Sequence, residues 1–239
     1  MNKILLISII LGATVASIVG YAYYTYYYLP NYYYQQSLYY YNHQLGMMGY
    51  GGMMMSGSMM GGYANLQQIP IGESYTHAEN SSYVKIFPSN DSIIFYTKDI
   101  NLVILSMGHT RAYNLTHYIP PSNMHAEDNV FVIDGLINPT LVIPQGATVH
   151  ITLINLDEGD YHNIAITTLS PPYPYYVMMY VRMNILTMTP MLPPANYNSG
   201  YAYSFSSNVV FYNPGNYYYI CEYPGHAEMG MYGEIIVYG

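Results

Sequence analysis

The stretch ICEYPGHAEMGMYG (220–233) gathers a thiol, an imidazole and two thioethers close to the C-terminus. Cys221 is the single cysteine of the chain, so no disulfide can form within it. Cys221, His226 and Met231 fall in C-x4-H-x4-M spacing, with Pro224-Gly225 and Gly230 between them to fold the backbone back. An ion cycling between Cu(I) and Cu(II) is suited by two imidazoles and one thiolate in a near-trigonal plane, with a weak, long axial thioether. The loop offers three of those four donors. Met231 is the expected axial ligand, and Met229, only three residues after His226, is its rival.

A second histidine has to come from elsewhere. Of eight in the chain, His43 lies in a low-complexity stretch, while His77, His109, His117 and His125 precede the central strands. His150 alternates within a strand. His162 stands where the turn DEGDY passes into HNIAITTL, and is the best-placed ligand. Its neighbour Asn163 carries an amide able to tie the two ligand-bearing loops together.

The elements that position these residues read as short strands rich in Val, Ile, Thr and Tyr, bounded by Gly, Pro, Asn and Asp. They are 92–97, 101–107, 130–134, 140–144, 147–156, 162–169, 201–206, 216–221 and 233–239. In VHITLIN, Val149, Ile151 and Leu153 share one face and His150, Thr152 and Ile154 the other. Such a series predicts an all-β sandwich or barrel over 69–239. Residues 170–200 form a proline-studded excursion in which YVRMNIL is either a further strand or a helical turn.

Upstream, 29–68 is a Tyr/Met/Gly-rich tether with no sustained period. Its methionines (Met47, Met48, Met53, Met54, Met55, Met59 and Met60) are soft donors for Cu(I) that protons do not remove. Residues 1–28 contain the apolar run ILLISIILGATVASIVG followed by tyrosines. About 20 apolar residues cross a bilayer, so Ile4 to Tyr24 suffices. Lys3 marks the cytoplasmic end and the tyrosines suit the outer interface. The run exceeds a secretory h-region of roughly 7–15 residues, which favours an uncleaved anchor over a signal peptide cut near Gly20-Tyr21-Ala22. Either way the remainder is exported, and Asn80, Asn90 and Asn114 head N-glycosylation sequons.

Charge narrows the function. Only 8% of residues are charged and five are Lys or Arg, which argues against nucleic acid as a partner. Few ion pairs also means little acid-labile stabilisation, which suits life at low pH.

Three segments, 138–155, 171–178 and 213–239, resemble rusticyanin-type blue copper proteins of the cupredoxin family, and the Cys221 loop resembles that of archaeal sulfocyanins. The likeness spans 84–239. It implies a Greek-key cupredoxin sandwich, one type 1 copper ion, and ligands at His162, Cys221, His226 and Met231. Asn163 departs from the serine that rusticyanins carry at that position.

The resemblance further implies an electron carrier and no enzyme, serving a respiratory chain in an acidophile. Electrons would pass from an iron-, sulfur- or organic-oxidising donor toward a cytochrome or terminal oxidase. The expected port is an apolar rim of Pro224, Gly225, Ala227, Met229 and Met178/Met179 around the His226 ring edge. An alternative function is copper delivery through the methionine-rich tether. A multicopper enzyme would need a His-x-His or His-Cys-His cluster, and a dinuclear site a second cysteine; the chain has neither.

Overall fold

The computed structural model describes residues 14–23, 66–75, 84–121 and 127–239. The chain divides into two units, Met1–Met59 and Met60–Gly239. In the first, residues 14–23 are helical. The earlier part of the expected span, most of the tether with its methionines, and His43, His77, Asn80 and His125 lie outside the described residues. Among the described residues no helix is long and apolar enough to cross a membrane.

In the second unit, alternating apolar positions force the strands into two layers. With strands numbered along the chain, one sheet runs β1 (Gln67–Pro70), β11 (Tyr201–Val210), β8 (Thr148–Asn155), β4 (Asp99–Gly108), β5 (Asn129–Ile133), β6 (Leu136–Ile137). The other runs β10 (Ile185–Met188), β9 (Ala165–Thr167), β12 (Gly215–Ile220), β13 (Tyr232–Tyr238), β7 (Thr140–Pro144), β3 (Ser92–Phe95), β2 (Val84–Phe87). The alternation read in VHITLIN is the core face: Val149, Ile151 and Leu153 meet Ile100, Leu102 and Ile104 of β4 and Ile235 and Val237 of β13. Each such side chain, fully buried, contributes about 1.5–3 kcal/mol.

Several features differ from the sequence expectation, among them two strands it did not include, β2 and β6. β1 begins at Gln67, within the stretch read as tether, and pairs with β11 from Gln67 opposite Ser204. A helix, His109–Thr116, follows β4 where only strands were expected. It is too short to show a period, and burial of Ala112 against Leu105, Met107 and Val130 holds it in place. The expected strand 162–169 is regular only at β9, because its first residues are spent on loop contacts. The excursion turns out to be both of its alternatives: helix Val177–Val181, a 3-10 turn Arg182–Asn184, then β10.

One glycine of β13 is required by packing. A side chain on Gly233 would overlap the Tyr219 ring, which is fully buried and donates its hydroxyl to the Pro139 carbonyl at 2.6 Å. Tyr219 thus sits at the base of the loop between β12 and β13.

Candidate copper centre

The loop from Cys221 to Met231 leaves β12 and returns into β13, so its ends are fixed by a strand pair. Cys221 N–H donates to the Met231 carbonyl at 3.1 Å, and Met231 N–H to the His226 carbonyl at 2.8 Å. The loop is closed internally by His226 N–H to Tyr223 O and Met229 N–H to Gly225 O. Gly225 takes a left-handed φ of 85°. A Cβ there would press on the Tyr175 ring at 3.0 Å, while its N–H donates to the Tyr175 carbonyl at 2.9 Å. The excursion therefore leans on the ligand loop through Tyr175.

His162 arrives from the opposite side. It forms an isolated bridge with Leu192, its N–H donating to the Leu192 carbonyl at 3.2 Å and its carbonyl accepting Leu192 N–H at 2.7 Å. Asn155, at the end of β8, donates its amide to the carbonyls of Asp160, Leu192 and Pro193. Sequence reasoning missed Asn155. The only signal was a polar residue at the buried end of an apolar strand.

The nitrogen and sulfur donors of His162, Cys221 and His226 all lie within 4.8 Å of one another. Both imidazoles turn the same atom inward: Cys221 Sγ is 3.7 Å from His162 Nδ1 and 3.5 Å from His226 Nδ1. His162, Cys221 and Met231 are each 0% exposed and His226 is 4% exposed. Met231 belongs to the same buried cluster as Cys221, whereas Met229 is half-buried and accepts from Glu127 N–H. Two soft-to-borderline imidazoles, one thiol and a buried thioether form the donor set that copper favours.

Asn163 spans the two loops as its position suggested. It donates to Glu222 Oε2 at 2.6 Å and accepts from Glu222 N–H at 2.8 Å. Burial raises the Glu222 carboxyl to about 7, against the pull of that amide.

The surroundings keep the imidazoles available to a metal. Burial, helped by the neighbouring His162, holds His226 down to about 3, with Asp157 opposing. A neutral imidazole keeps the lone pair a metal needs. Burial pushes the Cys221 thiol up to about 12 despite backbone N–H groups of Asn163 and Tyr223; metal binding must therefore displace its proton. Tyr223 covers His226, their ring centroids 4.5 Å apart.

The expected apolar port is corrected at the ring edge. His226 Nε2 faces the Asn129 amide at 3.3 Å and Asp160 Oδ2 at 4.0 Å. Gly225 and Ala227 are buried, Pro224 and Met229 half-buried, Glu228 exposed. The polar groups come from β5 and the 157–160 turn, far away in sequence from the loop on which the expectation rested. The other described histidines stay outside the centre: His109 opens a helix, His117 caps it, and His150 bridges Asn208 and Asp99.

The family described as Sulfocyanin (SoxE) domain matches residues 106–239, more than half of the chain. The chain belongs to the sulfocyanin family. The chain is 42% identical to the rusticyanin of Acidithiobacillus ferridurans over 108 residues, covering 45% of the chain and 54% of that relative. It is 41% identical to that of Acidithiobacillus ferrooxidans over the same length and shares. The chain thus spans about half the length of the curated relatives it matches. Among solved structures, reduced rusticyanin superposes with a TM-score of 0.58 at 26% identity, over 72% of this chain and 99% of its own. A Thiobacillus ferrooxidans rusticyanin structure gives 0.56 at 28% identity, over 72% and 97%. The sandwich is a cupredoxin fold, and the cofactor of this family is a type 1 copper, for which His162, Cys221 and His226 form a fitting site.

Proposed function

We propose that this protein carries single electrons on one type 1 copper held by His162, Cys221, His226 and Met231, and is no enzyme. The observation that carries the reading is the convergence of two Nδ1 atoms on one buried thiol, with the Met231 backbone bonded to both Cys221 and His226. Copper supplies the one-electron step between Cu(I) and Cu(II). The protein holds the donors in one arrangement for both states, because each is buried and each loop is bonded to the other. With four donors supplied by the chain, no position is left for a substrate.

The finer reading places the domain outside the cytoplasmic membrane of an acidophile, held by an anchor over residues 4–24. It passes electrons within a respiratory chain toward a cytochrome or terminal oxidase. The apolar run after Lys3 supports the anchor, and the exposed Asn90 and Asn114 sequons agree with export. Low charge and the depressed, buried His226 support an acidic setting.

Stopped-flow mixing of the Cu(II) protein with a reduced cytochrome tests the carrier role; no electron exchange would overturn it. Membrane fractionation of the full chain against a chain starting at residue 29 tests the anchor. Recovery of both in the soluble fraction would refute it.

A further inference from the structure

The turn LDEGD (156–160) sets two carboxylates behind the two imidazoles, on the side away from the thiol. His162 Nε2 is fully buried and has no hydrogen-bond partner, yet it points at Asp157 Oδ2, 3.9 Å away. Asp157 is itself built into place. Its Oδ1 accepts Gly159 N–H at 2.7 Å and Asp160 N–H at 2.9 Å, and its own N–H donates to Asn155 Oδ1 at 3.0 Å. Its carbonyl accepts Ala195 N–H at 2.6 Å. Those contacts use one carboxylate oxygen and leave Oδ2 for the imidazole. Asp160 behaves differently: its Oδ2 accepts from Asn129, which lies between it and His226.

We infer that Asp157 is a positioning residue that captures the Nε2 proton of His162 and so commits Nδ1 of that ring to the metal. A buried ring nitrogen carrying a proton needs an acceptor, and Asp157 Oδ2 is the one the fold aims at it. Closing the gap from 3.9 Å to hydrogen-bond distance requires a shift of about 1 Å. A carboxylate in that place also makes the ring a stronger donor and favours the more highly charged Cu(II) state. Asp160 has only a minor part, because its oxygen is shared with Asn129 and more open to water.

The inference rests on the copper assignment, so its test has an arm without copper. Two-dimensional 15N–1H spectra of the metal-free full chain should show His162 with the proton on Nε2 and a bare Nδ1. A proton on Nδ1 overturns the proposal whether or not the protein binds copper. In the copper-loaded chain, Asp157→Asn keeps the turn and removes the charge. It should lower Cu(II) affinity about 10- to 100-fold with a smaller loss for Cu(I), raising the reduction potential. A tenfold difference between the two corresponds to about 59 mV for one electron. Asp160→Asn should move the potential less. An unchanged potential in Asp157→Asn, with wild-type protein still blue, overturns the positioning role and leaves the copper assignment standing. If that variant does not fold, the wild-type tautomer decides alone.

Discussion

The amide of Asn163 and the peptide and carboxylate of Glu222 exchange two hydrogen bonds, at 2.6 and 2.8 Å, across 59 residues of sequence. Each partner is the immediate neighbour of an expected ligand, His162 or Cys221. The pair therefore sets the spacing between the two loops before a metal arrives, which is how a site avoids rearrangement on electron transfer.

Asn163→Ala should cost about 1–3 kcal/mol, because it strands the buried Glu222 groups. Thermal unfolding of the metal-free protein measures this. The copper spectrum should broaden as the loops lose their common reference, and a melting temperature equal to wild type would show the bridge to be dispensable.

Cys221→Ala should give a folded, colourless protein. The thiolate is the source of the intense blue absorption in such centres, and the small buried side chain can be truncated with a modest cavity. Absorption and circular dichroism after copper addition check both halves, and a surviving blue band would remove Cys221 from the site.

Met231→Leu and Met229→Leu should part company. Leu conserves volume, so either change should cost under about 1.5 kcal/mol. Only the fully buried Met231 should alter the potential and the copper spectrum on replacement. Equal spectra for wild type and Met231→Leu, with a shift in Met229→Leu, would reverse the axial assignment.

Copper retention should extend well into acid. Protons begin to compete with copper for His226 only near pH 3, well below the ordinary value of 6.5. Following the copper band during acid titration tests this; loss by pH 5 would contradict it. In the metal-free protein the sign is simple. A depressed histidine makes the folded state bind fewer protons than the unfolded one, so its contribution falls as pH drops from 6.5 toward 3.

Asp91 should act in the opposite sense. Its carboxyl is 1% exposed, both oxygens lack a hydrogen-bond partner, and burial raises it to about 6 against the influence of Tyr118. The folded state then binds the proton more tightly than the unfolded one. The contribution is complete below 3.8 and is lost as pH rises through about 6. Its size should be on the order of 1 kcal/mol once solvent screening is allowed for. Urea unfolding of wild type and Asp91→Asn at pH 4 and 7 isolates this group: the variant should gain on wild type at pH 7 relative to pH 4, and an equal difference at both would contradict it.

Much of this architecture was legible in the sequence because it is local. Alternation in 148–155 revealed a core strand, and β7 at 140–144 starts and stops where its turn residues dictate. Helix His109–Thr116 was illegible because eight residues with one buried side chain carry no period. The polar cover on His226 was hidden for another reason: Asn129 lies 97 residues away from it, and no local pattern reports such a contact.

By itself, the sequence determined the chemistry on offer: one thiol, an imidazole and a thioether on a short loop turned by glycine and proline, with an asparagine beside a second histidine. Tertiary structure alone decided their orientation. Which nitrogen of His162 faces Cys221, which carboxylate stands behind it, and how Tyr175 braces Gly225 all depend on segments joined only by burial and strand pairing. Ligand identity is a property of residue type. Ring orientation follows from packing, and packing is settled by the whole sandwich at once.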